Sequence, residues 1–566
     1  MCRSRPSGWA CRSCVRAPSS YAWLPSRTAA RATPRADAPV SVGNAIVWEV
    51  QRASEGLTTA RLAQAILTVA LLVAAVVRVW DLGAVGFNSD EAVYSGQAAS
   101  LAGDPTYTPL FAVFRAHPLG VQFLVSLVFH ISRDDVAARL VSVAFGVAAV
   151  FLVYLAGRQL YSPKVGLIAA AILAVMPYQV AVSRQILLDG PMMTMWLLTM
   201  LLLARYAATG RARWLYATAF GAGLTFLAKE TGVMVVVTAI AFTLVTPQVR
   251  LGLRRLLVAA AIYLFALSPY PLAVVIGGGE SSARSFLLWQ LLRQPNHSWT
   301  FYFEILPGAI GPLVLLAAAG GILLALRRRG WEDRLLIAWV LVPFAFFQIW
   351  PTKGYQYLLP MAPALAILAG RAFEWPWLDV LARSSRSVRK MLEGRGALVR
   401  RASAGALAVL LLSIALPTAQ AVTTTTALGS LAGTGGLAGG REAGIWIREH
   451  VPAGATFMTI GPTLSNLIEY YGQRRSLGLS VSPNPLRRNP AYDPINNPDR
   501  AIRELQIQYL AYDVWSAGRS PFFAGHLQHY IDKYHGRLVY EQTAATRSAN
   551  GQVSEGVVIK IYQVHP

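Results

Sequence analysis

Long apolar runs separated by short basic loops dominate the chain from residue 61 to residue 420. A helix needs about 17 to 25 predominantly apolar residues to cross a bilayer. Runs of about that length fall at 61–80, 135–157, 165–182, 190–208, 213–228, 232–247, 254–276, 304–326, 332–350, 355–371 and 402–420, which predicts about eleven membrane-spanning helices. The run at 118–131 is too short to cross and predicts a helix lying in the membrane interface. Beyond residue 440 the pattern shortens. Helix-like segments at 441–450, 462–471 and 520–534 alternate with strand-like segments at 455–460, 509–515, 537–542 and 557–563. This alternation predicts a small α/β domain over 441–566, with a Pro- and Asn-rich loop at 483–499.

Thr423 to Thr426 and a Gly-rich stretch to Gly440 read as a linker, residues 421–440. Gly433-Thr-Gly435-Gly-Leu-Ala438 has the loose spacing of a dinucleotide fingerprint, but no strand precedes it, so the linker reading stands. Residues 1–46 form a basic arm with no acid before Asp37, expected to be disordered. A transit-like segment or upstream sequence from an early start would look the same. Cys2, Cys11 and Cys14 all lie in this arm. Cys11-x-x-Cys14 lacks the second pair of a four-ligand zinc site, and no cysteine is left to brace the C-terminal domain.

Charge changes the picture from a count of spans to an orientation. The 566 residues are 54% hydrophobic and 14% charged, with a formal net charge of +23. The arginines lie in the arm and in loops between apolar runs, so membrane orientation explains them and nucleic acid is excluded as a partner. With 118–131 kept out of the membrane, one side collects Arg158 and Lys164, Arg205 to Arg213, Arg250 to Arg255, Arg327 to Arg334, and the loop from Arg371 to Arg401. The positive-inside rule makes that side cytoplasmic. Counting 118–131 as a span would invert every later loop and destroy the asymmetry. The expectation is a multi-pass plasma-membrane protein with a cytoplasmic N-terminus. Residues 47–420 form the membrane domain, 81–134 its first outer loop, and the C-terminal domain is extracytoplasmic.

The same topology gathers Asp90, Glu91, His117, Arg184, Asp189, Lys229, Glu230 and Lys353 on the outer face. Ionisable groups at a membrane edge are costly unless they are paired or functional. Asp90 and Glu91, in Gly86-Phe-Asn-Ser-Asp-Glu-Ala-Val-Tyr94, suit a general base that takes a hydroxyl proton, and Asn88-Ser-Asp-Glu equally suits a helix N-cap. Asp189, before Gly190-Pro191, is a second catalytic candidate or an ordinary helix cap; Arg184 would be its partner or a phosphate ligand. Lys229 and Glu230 are adjacent and do not share a helix face, so they serve different partners. Lys353, in Pro351-Thr-Lys-Gly-Tyr-Gln-Tyr357, is either an interfacial anchor or a phosphate clamp, and His117 is a metal ligand, a substrate contact or neither.

In order, spacing and side, these segments resemble the GT-C membrane glycosyltransferases, specifically the protein O-mannosyltransferase and lipid A aminoarabinose transferase superfamily. Asp90-Glu91 match that family's acidic pair. His117-Pro118-Leu119-Gly120 is similar to its His-Pro-Pro-Leu-Gly signature with one proline missing. Arg139-Leu140 continuing to Phe145-Gly146, Ser183-Arg184-Gln-Ile-Leu-Leu-Asp189, and Lys353 to Tyr357 with Pro360 resemble further family motifs. The resemblance covers about residues 60 to 372. It implies a GT-C fold and a sugar donor on a polyprenyl phosphate. The acceptor hydroxyl attacks with inversion, and Asp90, Glu91 and Asp189 form the catalytic set. It also implies substrate contacts from His117, Arg139, Arg184, Lys229, Glu230, Lys353, Tyr355 and Tyr357. Val121 stands where O-mannosyltransferases carry lysine, and the Trp-Trp-Asp signature of oligosaccharyltransferases is absent. No cofactor is implied. Metal use differs within the family, so a divalent cation stays an open expectation. A lipid or sugar transporter and a non-catalytic envelope scaffold are the rival readings. Transporters place ionisable groups near the midplane in repeated halves, a pattern this chain does not show.

Overall fold

The computed structural model describes residues 42–113, 117–249, 251–276, 280–374, 396–423, 437–547 and 553–565. The three cysteines, most of the basic arm, most of the Gly-rich linker and most of the Arg371–Arg401 loop lie outside the described residues. Arg61 to Pro566 form one compact unit.

The membrane part is helical. Its elements are α1 (Ala60–Val79), α2 (Ser89–Leu101), α3 (Gly120–Phe129), α4 (Asp135–Leu160), α5 (Pro163–Val175), α6 (Pro177–Ser183), α7 (Asp189–Thr209), α8 (Ala212–Ala228), α9 (Met234–Leu244), α10 (Leu253–Leu267), α11 (Pro269–Ile276), α12 (Glu280–Leu291), α13 (Phe301–Ile310), α14 (Pro312–Arg328), α15 (Trp331–Ile349), α16 (Ala362–Ala372) and α17 (Gly396–Thr423). Among the described residues, four helices are singly long and apolar enough to cross a membrane: α1, α4, α7 and α17. The bent pairs α5/α6, α10/α11 and α13/α14 raise the number to seven if each pair is one span. The eleven apolar runs therefore do not translate into eleven straight spans.

Proline is the physical reason for the breaks. Pro177, Pro269 and Pro312 each open the second helix of a pair, where a missing N–H is harmless; Met176 and Gly311 before them leave helical geometry, whereas Ser268 keeps it. The bends are 58°, 48° and 101°. At the sharpest, Gly311 has φ +98°, and a Cβ there would sit 2.3 Å from Ile414, so only glycine lets α14 turn against α17. The short run after His117 forms the ten-residue α3. Val121, Val125 and Phe129 face inward, whereas Phe123, Leu127 and Ile131 form an exposed apolar stripe.

After residue 437 come α18 (Gly440–His450), β1 (Thr456–Thr459), α19 (Pro462–Leu467), β2 (Arg475–Gly478), α20 (Pro498–Arg503), β3 (Tyr509–Asp513), α21 (Val514–Arg519), α22 (Pro521–Lys533), β4 (Arg537–Arg547) and β5 (Val553–Gln563). The strand order is β2-β1-β3-β5-β4, with β2, β1 and β3 parallel and β5 antiparallel to both neighbours. Alternation along the strands fills two cores. Phe457, Tyr509 and Ala511 pack with Ala443 and Ile447 of α18, while Met458 and Leu510 pack with Ile502, Leu527 and Ile531. The sheet is thus covered by helices on both faces. Strand β2 and helices α20 and α21 carry no clear periodic signal in the sequence.

A third core fixes this layer to the membrane part. Phe87, Ala92, Phe111, Val121, Ile186 and Met192 pack with Leu467, Tyr470 and Tyr471. Phe87 lies 5.1 Å from the Tyr470 ring and 5.9 Å from the Tyr471 ring, centroid to centroid.

Candidate active site

The acidic pair is divided by the way α2 starts. Asn88 caps the helix, its Oδ1 accepting from the backbone N–H of Asp90 at 2.9 Å and of Glu91 at 3.0 Å. The Glu91 carboxylate returns the bond, accepting from Asn88 N at 3.1 Å, which completes a capping box. Glu91 therefore points inward and is fully buried. It meets Arg139 Nε and Nη2 at 2.8 Å each, the Asn88 amide at 3.1 Å and the Ile186 N–H at 3.0 Å. Arg139 spends its remaining donors on the carbonyls of Leu82, Val85 and Gly86. The two residues brace the loop that enters α2, and Arg139 is not turned toward a substrate.

Asp90 faces the other way. Its side chain is open to water, and among the described residues it makes no hydrogen bond or ion pair. Protein atoms nonetheless lie densely around it. That enclosure raises its pKa from the usual carboxylate value, against the opposing pull of Lys229 and His117; Arg293 also acts on it.

Helices α7 and α8 bring up the second carboxylate. Asp189, in the first turn of α7, receives Lys229 Nζ on both oxygens at 2.9 and 2.8 Å, and both residues are buried. Lys229 also sits 4.8 Å from the Tyr357 ring centroid. Glu230 turns to His117, whose Nδ1 lies 2.8 Å from Glu230 Oε2. The adjacent Lys229 and Glu230 do serve different partners. The His117 ring contacts Tyr94 at 6.0 Å and Phe286 of α12 at 5.3 Å.

Arg184 does not partner Asp189. It donates to the carbonyls of Val77, Arg78 and Trp80, closing the C-terminal end of α1. Lys353 is pinned by Asn296, whose amide bonds its backbone N–H at 2.7 Å and carbonyl at 2.9 Å. Its buried ammonium lies 5.6 Å from the Trp299 ring, with no carboxylate in ion-pair reach among the described residues. It is not among the charges that bear on Asp90. Tyr355 stacks edge-on against Tyr178 at 4.9 Å, and its buried hydroxyl is unpartnered.

Three groups escaped the sequence reading. Arg293 bears on both Asp90 and Tyr357 and rests on Trp289 at 4.4 Å; the Trp289-x-x-x-Arg293 spacing was its signal. Tyr94 lies one turn beyond Asp90 on α2, at the i,i+4 spacing that shares a helix face. Arg78, fully buried, donates to Ser183 Oγ at 2.9 Å and to the Ala174 carbonyl at 2.9 Å, holding the α5/α6 break against α1. No group of three or more His, Cys, Asp and Glu side chains that could hold a metal ion converges among the described residues.

Known proteins share this fold. The family model for dolichyl-phosphate-mannose-protein mannosyltransferase matches residues 116–272. ArnT from Cupriavidus metallidurans in the apo state aligns with a TM-score of 0.63 at 16% identity, covering 90% of this chain and 98% of that one. The apo oligosaccharyltransferase of Archaeoglobus fulgidus aligns with a TM-score of 0.56 at 15% identity, covering 87% and 74%. The undecaprenyl phosphate-alpha-4-amino-4-deoxy-L-arabinose arabinosyl transferase of Pseudomonas aeruginosa is 29% identical over 312 residues, 50% of this chain and 55% of the relative. The chain spans about half the length of the curated relatives it matches. Its fold is the GT-C fold, and its apolar helices are those of a multi-pass membrane protein. Within that class the resemblance to the ArnT and protein O-mannosyltransferase type, read first from the motifs, is borne out.

Proposed function

We propose that the chain is an inverting glycosyltransferase moving a single sugar from a polyprenyl-phosphate donor to a hydroxyl acceptor on the outer face of the plasma membrane. One observation carries the reading: of two adjacent carboxylates, Glu91 is locked in structure, and Asp90, exposed and without a partner among the described residues, lies within the electrostatic reach of Lys229, His117 and Arg293. Likeness to ArnT, solved also bound to undecaprenyl phosphate, supports a lipid-phosphate donor.

In the reaction the acceptor O–H gives its proton to the Asp90 carboxylate as its oxygen bonds to the anomeric carbon. The bond from that carbon to the phosphate oxygen breaks on the opposite face, and the lipid phosphate leaves with the electron pair. Preplaced cations stabilise charge that develops in the transition state. Arg293 and the unpaired Lys353 are suited to the departing phosphate. Lys229, neutralised by Asp189, instead sets the field at Asp90 and holds Tyr357. Three bent helix pairs are a feature that a transporter would share, but the pairs Glu91–Arg139, Asp189–Lys229 and His117–Glu230 lie at helix ends rather than midway along a span, which favours the enzyme reading.

The test is purified protein in detergent, supplied with polyprenyl-phosphate-linked sugars and membrane acceptors. Release of polyprenyl phosphate is expected; none with any donor would contradict the reading. A reporter fused at residue 375 is expected to signal from the cytoplasm, and an external signal would overturn the outer-face placement.

A further inference from the structure

A groove of about 950 Å³ opens between the first loop and the C-terminal sheet, and the mechanism above does not use it. Thr106 and Pro109 form one wall; the edge strand β2, with Asn466 of α19 and Tyr492, forms the other. Its position is informative. Asn466 Nδ2 donates to Ser89 Oγ at 2.8 Å and to Tyr492 Oη at 3.1 Å. Ser89 precedes Asp90, so a groove wall is hydrogen-bonded one residue from the base.

Its chemistry is equally specific. Two acids, Glu469 and Asp493, and two arginines, Arg474 and Arg475, line it; Arg474 donates to the carbonyls of Val451 and Pro452, and Arg475 pairs with Asp493 at 3.3 Å. The balance leaves no net charge to select a phosphate or a cation. The apolar lining is mainly proline and alanine, with Leu110 and Leu477, and offers few large apolar side chains to grip a lipid tail. The remainder is hydroxyl, amide and carboxylate: Thr106, Ser465, Asn466, Gln473 and Ser476 beside the flat ring of Tyr492. A sugar hydroxyl both donates and accepts, so a wall that alternates both kinds of group suits it.

We propose that this groove binds the acceptor, a neutral polyhydroxylated glycan, and presents its reactive hydroxyl to Asp90. The proposal rests on the glycosyltransferase reading, and its test separates the two. Full-length protein in detergent is probed by saturation-transfer NMR with mannose- and glucose-series oligosaccharides, and in parallel with a Ser/Thr-rich peptide. Two variants leave the Asp90 machinery intact: Thr106→Trp, which fills the groove from the loop side, and the double exchange Arg475→Ala with Asp493→Ala, at two exposed positions. An oligosaccharide is expected to bind the wild type and to lose about tenfold in affinity in each variant, the effect of one or two hydrogen bonds. Slow donor cleavage by water is expected to stay unchanged in both, and thermal midpoints to match the wild type. Absence of binding by every oligosaccharide, binding that survives both exchanges, or binding of the peptide alone would overturn the groove's assignment. Glycan binding that the variants abolish, in a protein that releases no lipid phosphate from any donor, would sink the enzymatic reading and leave the groove standing.

Discussion

Exchanging Glu91 for glutamine separates the two neighbouring carboxylates by stability rather than by activity. The Glu91 carboxylate accepts from Arg139 Nε and Nη2 at 2.8 Å, Ile186 N at 3.0 Å, and Asn88 N and Nδ2 at 3.1 Å. Glutamine keeps the shape but replaces one acceptor oxygen with a donor and leaves the buried Arg139 without its counter-charge. Breaking a buried pair from one side typically costs about 3–5 kcal/mol. Asp90→Asn removes no described partner and relieves a desolvated charge, so its stability should stay within about 0.5 kcal/mol of wild type. Thermal unfolding in detergent, run beside lipid-phosphate release, reads both. Glu91→Gln should unfold much earlier, and Asp90→Asn should unfold with the wild type yet be inactive. A Glu91→Gln protein of normal midpoint and no turnover would refute the division of roles, as would an Asp90→Asn protein destabilised to the same degree.

Tyr471→Phe should cost about 1–3 kcal/mol and lower turnover, because the Tyr471 hydroxyl accepts from the buried Phe87 N–H at 2.8 Å and donates to Asp135 at 2.6 Å; unchanged melting and turnover would count against it. The active form of Asp90 is ionised and enclosure raises its pKa, so kcat/KM should climb with pH along an acid limb above the ordinary carboxylate range; a limb at or below pH ~4 would remove Asp90 as the base. Asp513, capping α21, is pushed up by burial to about 6 from 3.8. It binds its proton more tightly folded than unfolded, so stability is highest below pH 3.8 and falls as pH rises through about 6. Asp513→Asn keeps a capping oxygen and should stabilise the C-terminal sheet at pH ~7.5 by up to about 3 kcal/mol while flattening that slope, as read by hydrogen exchange; an unchanged slope would refute it.

What was legible in the sequence was local. Apolar runs located most helices, alternation located four of the five strands, and Asn88-Ser-Asp-Glu announced a capped helix start. Pairing across helices was not legible, because packing decides it and spacing does not. Arg184 is five residues from Asp189 yet closes α1, whereas Lys229, forty residues away, supplies the counter-charge. Arg139 was read as a substrate contact because its motif position suggested one. The buried Glu91 claims it, and only the inward turn of the capping box shows that. Strand β2 is four residues long at a sheet edge, too short for periodicity to register.

The proposed role of Asp90 is to take the acceptor proton in a transfer from a lipid-phosphate sugar. Its most direct measurement compares wild type with Asp90→Asn for donor binding and for polyprenyl phosphate released per turnover. The variant is expected to bind donor as the wild type does and to lose turnover by about 10²–10⁴-fold, the usual contribution of a positioned base. Turnover retained in Asp90→Asn would contradict it.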